Sequence, residues 1–451
     1  MIAIAFFCYL TLIACIAARA VRATHNVDDY LIGGRKVGGA MAGLSAGASD
    51  MSGWLLLGLP GLAVAAPVEA LWVGAGLALG TWFNWRFVAR KLREETGRYG
   101  VLTIPSFFRR RFKTHGGAVQ ALTAASILVF FTLYAAAGFV AGGKLFSSVF
   151  DLPYSSAVVI GALLILVYTL WGGFLAVVWT DALQAIMMIG ALAIVTLCAV
   201  IDGPPTATMP VVIDGDFDSL AIASALAWGL GYMGQPHIVT RFMAMTSPDA
   251  AAHGQRIGVT WTTACLALAI AVGIFAGPIL GPQADPERVF ILAIEQYLPP
   301  LLAGICLAAV LAAIMSTADS QLLITASALA EDLLPCDPSA IDSSRRLRNG
   351  RIAVFVICCA ALTFALNPAA GVFSLVAFAW AGFGATVGPA LLMALHGSTN
   401  SGAGSLGGIA TGLVVVTCWD WLPNDGWGIY ELLPGFIAAL LVNIGVSRFV
   451  P

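Results

Sequence analysis

The sequence predicts an all-α polytopic membrane protein with about thirteen transmembrane helices. Of its 451 residues, 59% are hydrophobic and only 10% are charged, a balance that water-soluble chains of this length do not show. The apolar residues are grouped into segments long enough to cross a bilayer, and the basic residues are concentrated between alternate segments. Together these three observations indicate that lipid is the main solvent of the chain.

The apolar segments follow one another along the whole chain. Crossing the hydrocarbon core takes about 20 mainly apolar residues. Thirteen segments meet this requirement, near 2–19, 38–64, 68–88, 118–149, 155–172, 181–201, 219–240, 256–279, 300–327, 352–367, 372–396, 405–420 and 429–447. The polar connections between them are short, so we expect residues 1–451 to form one transmembrane domain.

The first segment, Met1 to Ala18, has no basic residue ahead of its apolar run and no clear cleavage site. It therefore predicts a membrane span and not a secretory signal. With the N-terminus outside and thirteen alternating spans, 20 of the 22 basic residues, Arg241 among them, fall inside, and only Lys144 and Arg288 fall outside. The positive-inside rule thus predicts this orientation, with the C-terminus inside.

Several function classes are disfavoured by the remaining composition. The outer loops near 202–218 and 420–425 carry acids and no Lys or Arg, and no basic surface predicts nucleic-acid binding. No GxSxG, HExxH or Walker signature places an enzyme active site in this chain, so we expect it not to be an enzyme. Its nine cysteines lie mostly inside apolar runs without a CxxC pair, as packing residues do.

Two of the predicted spans, the second and the seventh, are interrupted by small and polar residues, at 44–54 and at 228–237. Irregular backbone at membrane depth must be buried in protein or line a wet cavity. The offset of five spans is expected of two inverted repeats that each open with a discontinuous helix. We therefore predict an inverted five-plus-five core, with repeats at 38–201 and 219–396, an extra helix at 2–19 and two C-terminal helices at 405–447.

Asp50 lies inside the first interruption. A charge at this depth costs roughly 2.5 to 3.5 kcal/mol even on the gentler insertion scales. Two interpretations are compatible: the acid stabilises loosened backbone, or it attracts and orders a monovalent cation.

The ninth span contains adjacent hydroxyls, Ser316 and Thr317, with Ala313 one turn before them. Sodium prefers hard oxygen ligands, and hydroxyls and backbone carbonyls provide them. An isolated Ser-Thr pair is usually structural, but a broken helix elsewhere in the chain favours a cation site.

Residues 229–234 match GxGxxG, but the preceding strand and the following soluble helix that a dinucleotide site needs are missing. We expect these glycines to permit unwinding and close helix contact, with Trp228 and Tyr232 facing one cavity. Asp181 and Asp319 are two further acids. We favour a solvated position for each at a cytoplasmic helix end, and the alternative is that the pair conducts sodium or a proton inward.

On the basis of these residues and the stretches around them, the chain resembles the sodium:solute symporter family, and in particular its proline-carrying branch. The resemblance rests on stretches at 28–35, 44–60, 172–181, 228–242, 311–323 and 379–384, which include Gly33-Gly34-Arg35 and Ala379-Trp380-Ala381-Gly382. It implies thirteen spans with the N-terminus outside, the inverted-repeat core, and inward transport driven by a sodium gradient across a bacterial cytoplasmic (inner) membrane.

The resemblance also implies roles for individual residues. The sodium ligands are the carbonyls of Ala48, Met51 and Ala313 with the hydroxyls of Ser316 and Thr317. Asp50, Arg35 and Asp181 are implied to act in coupling. The substrate pocket is lined by Ser52, Gly53, Trp54, Tyr134, Trp228 and Tyr232.

One departure from the family pattern concerns Asp319-Ser320, where the proline carriers have Ser-Cys. It leaves open a second cation site formed by Asp181, Ser316, Asp319 and Ser320. The function implied is sodium-coupled import of L-proline. The alternatives are symport of another small carboxylate or amino-acid-like solute and, less favoured, a transporter-like solute sensor.

Overall fold

The computed structural model describes residues 1–23, 27–202, 219–281, 285–333, 343–367, 371–397, 399–422 and 428–450. Most of the acidic loop near 202–218, the acids near 425 and Cys336 lie outside these ranges. In chain order the helices are α1 (Ile2–Ala23), α2 (Val27–Ile32), α3 (Gly39–Asp50), α4 (Leu59–Ala65), α5 (Pro67–Phe83), α6 (Arg90–Tyr99), α7 (Ile104–Arg111), α8 (Gly116–Phe150), α9 (Tyr154–Asp202), α10 (Ser219–Leu226), α11 (Pro236–Met243), α12 (Ala250–Leu280), α13 (Val289–Tyr297), α14 (Pro300–Ser327), α15 (Ser343–Ala365), α16 (Val372–His396), α17 (Gly402–Cys418) and α18 (Leu432–Phe449).

The predicted fold class, an all-helical membrane protein, is confirmed. Within the described residues, eight helices are long and apolar enough to cross a membrane, and a bent pair of helices makes a ninth. Three apolar helices are shorter: Tyr154–Leu170, Ser219–Gly234 and Gly402–Cys418. Each predicted apolar segment coincides with helix, although the sixth begins at Gly173, where φ is 68° and the chain kinks, and not at Asp181.

The first predicted interruption is a true break. Helix α3 ends at Asp50, the chain leaves helical geometry at Met51 (φ −82°, ψ 75°), and helix resumes at Trp54. The axes of the two halves, Gly39–Asp50 and Trp54–Ala65, differ by 62°. The break therefore changes the direction of the second half of the span and replaces regular helical hydrogen bonds by local ones, from the Ser52 N–H to the Asp50 carbonyl and from the Leu55 N–H to the Ser52 carbonyl.

The second predicted interruption is also a break. Residues Ala227–Gly234 form a tight 3₁₀ segment, Gln235 is extended (φ −78°, ψ 107°), and Pro236 begins α11. Proline favours the first turn of a helix because it has no N–H to leave unpaired there. The two discontinuous helices expected from the sequence are thus both present.

Glycines allow the broken helices to approach their neighbours closely. A Cβ added to Gly43 of α3 would lie 2.6 Å from the carbonyl oxygen of Gly254 in α12, and one added to Gly231 would collide with the indole of Trp380. In a membrane, helices associate through such packing and not through a hydrophobic driving force between them. The predicted role of the 229–234 glycines in close contact is consistent with this packing.

Helices α3, α8, α9, α11 and α14 pack around the two breaks, with α16 against the 3₁₀ segment. At one end of the molecule lie the short helices α6 and α7, which carry many of the basic residues. This end is called the basic end below. There a short parallel bridge joins Val37, just before α3, to Met245, just after α11.

Candidate functional site

The predicted sodium ligands meet where α3 ends against the middle of α14. The Ser316 hydroxyl donates to the Ala48 carbonyl at 2.8 Å and to the Ala313 carbonyl at 3.0 Å, and the Thr317 hydroxyl reaches the Ala48 carbonyl at 3.5 Å. All of these residues are buried. Four of the five predicted ligands are therefore within hydrogen-bond distance of one another.

The fifth predicted ligand, Met51, is fully buried at the C-terminus of α3. Its non-helical ψ of 75° takes its carbonyl out of the helical hydrogen-bonding direction. All five groups are uncharged oxygens, which suit a monovalent hard cation. Among the described residues, no cluster of three or more His, Cys, Asp or Glu side chains could hold a metal ion.

Asp50 contacts the aromatic side chains beside this site. Its carboxylate accepts a hydrogen bond from the Tyr232 hydroxyl at 2.5 Å. Its backbone carbonyl accepts one from the Trp54 indole at 3.0 Å and one from the Tyr134 hydroxyl at 3.5 Å. Asp50 thus links the first broken helix to the 3₁₀ segment of the second and to α8. This geometry favours Asp50 as an organiser of the site.

The six predicted pocket residues surround Asp50 and its neighbours. The Trp54 and Trp228 rings lie 6.5 Å apart between centroids, and the Ser52 hydroxyl accepts from the Trp54 N–H at 3.3 Å. A Cβ added to Gly53 would lie 2.6 Å from the Ala141 methyl group. The site therefore combines the irregular backbone of a broken helix with buried aromatic rings, the combination expected of a pocket for a small amphipathic ligand.

Two residues that hold this pocket were missed by the sequence prediction. The Trp380 indole donates to the Trp228 carbonyl at 2.8 Å, and the Asn84 amide donates to the Tyr232 carbonyl at 3.0 Å. Both bonds satisfy carbonyls that the 3₁₀ segment leaves without an α-helical partner. Trp380 lies in the Ala379–Gly384 stretch of the resemblance, and Asn84 is a polar residue in an apolar segment, so each carried a weak signal.

A cavity of about 810 Å³ reaches the aromatic residues from the end of the molecule opposite the basic end. Its wall includes Trp72, Ser224, Trp228, Phe373, Ala377 and Tyr430. The Trp228 ring stacks with Phe373 and with Tyr430, at centroid distances of 5.0 and 4.9 Å. Trp228 thus belongs both to the wall of the cavity and to the aromatic residues beside Asp50, since its ring also lies 6.5 Å from that of Trp54.

Arg241 is the main residue that the sequence prediction misplaced. It was counted among the inside basic residues of the loops, but it is 1% exposed and lies within α11. One guanidinium nitrogen is 3.2 Å from the Asp181 carboxylate and also donates to the hydroxyls of Ser49 and Ser320, both at 2.6 Å. A second donates to Ser45 at 3.1 Å. The sequence feature that could have indicated the burial of Arg241 is its position within the largely apolar segment Pro236–Met243.

The favoured interpretation of Asp181 and Asp319 as solvated acids at helix ends is wrong, because both are fully buried. Asp181 also accepts from the hydroxyls of Ser45 and Ser49, at 2.6 and 2.9 Å. The Ser320 hydroxyl lies 3.4 Å from the Asp319 carboxylate and donates to the Ser316 carbonyl at 2.8 Å. The four residues considered for a second cation site are therefore neighbours, and Arg241 lies among them.

Arg35, predicted to act in coupling, lies at the basic end. Its guanidinium donates to the carbonyls of Thr96 and Val101, both at 2.9 Å, and its own φ is 57°. It ties the connection before α3 to the last turn of α6 and to the segment that follows it. Its effect on the site would have to act through α3.

Comparisons with known proteins place this architecture among described transporters. The model of the sodium:solute symporter family matches residues 30–209 and 211–412. The sodium/proline symporter of Escherichia coli strain K12 is 42% identical over 451 residues, covering 95% of this chain and 89% of that protein. The sodium/proline symporter of Haemophilus influenzae is 40% identical over 472 residues, covering 98% and 94%.

Among solved structures, a Na⁺-coupled sialic acid symporter in a substrate-bound outward-open state superposes with a TM-score of 0.82. It covers all of this chain and 98% of that one at 16% sequence identity. At that identity the likeness establishes a shared fold.

Proposed function

This chain belongs to the sodium:solute symporter family, and we propose that it imports L-proline together with sodium by alternating access. The observation that carries the proposal is the meeting of Ala48 in the first broken helix with Ser316 in α14. Neutral oxygens from two separate helices converge there beside an aromatic pocket.

The proposed role of sodium follows from the two helices that supply its ligands. A cation bound between the Ala48 carbonyl and the hydroxyls of Ser316 and Thr317 would replace the hydrogen bonds that now join these groups. Because an ion–oxygen contact is stronger than a neutral hydrogen bond, the ion would hold α3 against α14. The break that follows α3 contains the pocket residues Ser52, Gly53 and Trp54, so sodium binding would complete the substrate site.

L-Proline suits the pocket chemically. Its carboxylate is attracted to a helix N-terminus, and the second half-helix, which begins at Trp54, presents the positive end of its dipole to the break. Its apolar ring needs a hydrophobic box, which Trp54, Tyr134 and Trp228 would form. The names of the two relatives support this substrate, since both are sodium/proline symporters about 40% identical to the chain over nearly its full length.

We propose that the basic end faces the cytoplasm of a bacterial cell and the cavity beside Trp228 opens outward. The positive-inside distribution of Lys and Arg supports this orientation, with the N-terminus outside. Substrate would enter through the cavity and pass the ring stack of Trp228, Phe373 and Tyr430. Movement of these rings would then serve as the outer gate.

Uptake of labelled L-proline into proteoliposomes tests the proposal. An inward sodium gradient should drive accumulation of proline. Replacing this gradient with an equal potassium gradient, or collapsing it with a sodium ionophore, should abolish the accumulation. Accumulation that is indifferent to sodium would disprove sodium coupling. Sodium-driven uptake that excess unlabelled proline leaves unchanged, but that another small carboxylate or amino acid inhibits, would assign a different substrate to the same site.

A further inference from the structure

A group of basic side chains from three parts of the chain meets at the basic end. Helix α5 continues through a π-helical turn, residues 84–89, into α6, and Arg86 and Lys91 lie on this continuation. His396 is the last residue of α16, and its imidazole contacts the Lys91 ammonium. Arg111, the last residue of α7, donates to the carbonyl of Ala394, two residues before His396. We call Arg86, Lys91, Arg111 and His396 the basic corner.

Hydrogen bonds hold the Lys91 side chain in the basic corner. The Nε2 atom of His396 lies 2.9 Å from the Phe87 carbonyl, and its Nδ1 atom lies 2.9 Å from the Lys91 ammonium. Because a carbonyl only accepts hydrogen bonds, Nε2 carries the proton and the unprotonated Nδ1 accepts from Lys91. The imidazole is therefore neutral, and it positions the charge of Lys91 without adding one of its own.

The charges of the basic corner have no acidic partners. In the part of the chain that the structure describes, no carboxylate forms an ion pair with Arg86, Lys91 or Arg111. The neighbouring Arg90, by contrast, contacts two acids. Arg86 and Lys91 are both exposed. An anion can therefore reach them without displacing an acid of the protein.

An apolar surface leads from the basic corner along α5. Leu79, Trp82 and Phe83, on the last turns of that helix, are 62%, 42% and 45% exposed. The rings of Phe83 and Phe87 lie 4.4 Å apart between centroids, and the Arg86 guanidinium lies 5.5 Å from the Phe87 centroid. Aromatic rings beside basic residues at the end of an apolar span are typical of the boundary between hydrocarbon and headgroups. The basic corner therefore lies at the level of the headgroups.

A ligand that matches both surfaces is anionic at one end and apolar at the other. Basic pockets between transmembrane helices suit phosphate headgroups, and guanidinium groups donate paired hydrogen bonds to phosphate oxygens. A soluble phosphate would use the cations and leave the apolar surface of α5 without a partner, whereas a lipid uses both.

We propose that the basic corner binds the phosphate headgroup of an anionic phospholipid, whose acyl chains lie against Leu79, Trp82 and Phe83. The lipid belongs to the leaflet that the basic end faces. Its headgroup joins the α5–α6 continuation to the ends of α7 and α16. This site is independent of the solute that the chain transports.

Native mass spectrometry of the detergent-solubilised full chain tests the proposal. Phosphatidylglycerol and phosphatidylcholine are titrated separately, without proline or sodium, and the Kd of the first bound lipid is measured for each. A basic side chain near an anionic headgroup contributes about fivefold in affinity. We therefore expect the unmodified chain to bind phosphatidylglycerol about 25-fold more tightly than phosphatidylcholine. Arg86→Gln/Lys91→Gln should lose most of this preference.

Two variants separate the basic corner from the general charge of the basic end. Arg98→Gln/Arg110→Gln is the matched control, because it removes two exposed cations of the same end outside the corner, and it should keep the preference. His396→Ala leaves the net charge unchanged and releases Lys91. It should weaken phosphatidylglycerol binding about threefold, the effect of a lost contact at an exposed position.

Equal affinities of the unmodified chain for the two lipids would overturn the proposal. Equal losses in the two double variants would also overturn it, because only the overall charge of the basic end would then matter. Displacement of phosphatidylglycerol by glycerol 3-phosphate would assign the cations to a soluble phosphate and exclude the lipid site. If Arg86→Gln/Lys91→Gln does not fold, His396→Ala and the unmodified chain decide. No proline is present, so a failure of the proposed transport function gives a different result.

Discussion

The two polar sites between α3 and α14 lie one helical turn apart and differ in charge. The neutral site, made of Ala48, Met51, Ala313, Ser316 and Thr317, contains only carbonyl and hydroxyl oxygens. The charged cluster, made of Ser45, Ser49, Asp181, Arg241 and Ser320, contains an acid and a guanidinium in direct contact. An ion that must bind and leave in each cycle needs a site without a resident positive charge, and only the neutral site offers one.

The comparison also explains why two buried polar sites coexist in one membrane protein. The charged cluster gains its stability from pairing, since either member alone would be an uncompensated charge at depth. The neutral site has no such requirement, because its hydroxyls and carbonyls satisfy one another directly. We infer that the charged cluster holds the helices together and that the neutral site responds to the sodium gradient.

The largest expected effect comes from breaking the charged pair. Arg241→Leu leaves Asp181 buried and unpaired, and we expect the free energy of unfolding to fall by about 3–5 kcal/mol. Denaturant unfolding in detergent micelles, in sodium-free buffer, measures this. Arg241→Leu/Asp181→Leu should recover more than half of the loss, and a double variant that loses the sum of both single effects would contradict the pairing.

The next effect concerns the neutral site. Ser316→Ala and Thr317→Ala each remove a hydroxyl ligand, and a contact to a charged group is worth about 1.5–3 kcal/mol. We expect the sodium concentration for half-maximal uptake to rise about 10- to 100-fold, with little loss of folding stability. Thr325→Ala is the control, because its hydroxyl donates to Gln321 on the same helix. If Ser316→Ala and Thr317→Ala show the same sodium dependence as Thr325→Ala, Ser316 and Thr317 are not sodium ligands.

A smaller effect is expected at the link between the neutral site and the pocket. Tyr232→Phe removes the hydrogen bond to Asp50, and the half-saturation concentrations of sodium and proline should both rise about tenfold, for a loss of about 1.4 kcal/mol. In the double variant Tyr232→Phe/Asp50→Asn, the rise in the half-saturation concentrations should be smaller than the two single variants predict if their effects were independent. Tyr154→Phe, which loses a bond to the Ala365 carbonyl, should leave both values unchanged.

The smallest effect is expected at an exposed ion pair of the basic end. Arg90 and Glu94 contact each other at 3.1 Å, with side chains 63% and 46% exposed. Solvent screens such pairs, so Glu94→Gln should leave the unfolding midpoint and the sodium dependence unchanged. A loss of folding stability as large as that of Arg241→Leu would show that burial does not explain the different contributions of the two ion pairs.

The breaks could be predicted because their cause is local. Small and polar residues at 44–54 and the Gly-Gln-Pro sequence before His237 disfavour continuous helix wherever they occur. The hydroxyls of Ser316 and Thr317 could be proposed as ligands because neutral oxygens suit sodium. Their actual contact with Ala48 depends on the packing of two helices, and Ala48 and Ser316 are 268 residues apart in the chain.

Arg241 shows where prediction from the sequence failed. Counting basic residues between predicted spans assigns each one to a loop. An arginine that lies among apolar residues, as Arg241 does, is then not recognised as buried. Ser45 and Ser49, four residues apart on one face of α3, were a signal for a polar partner. Nothing local identified that partner as a guanidinium on α11 and a carboxylate on α9.

The sequence by itself determined the membrane environment, the helical segments, the two breaks and the kinds of oxygen available for sodium, because these depend on composition and on neighbours along the chain. Only the tertiary structure decided that Asp181 and Arg241, 60 residues apart, neutralise each other while the Ala48–Ser316 contact stays uncharged. The reason is physical: the cost of burying a charge depends on which groups packing brings within hydrogen-bond distance, and packing joins residues that the sequence separates.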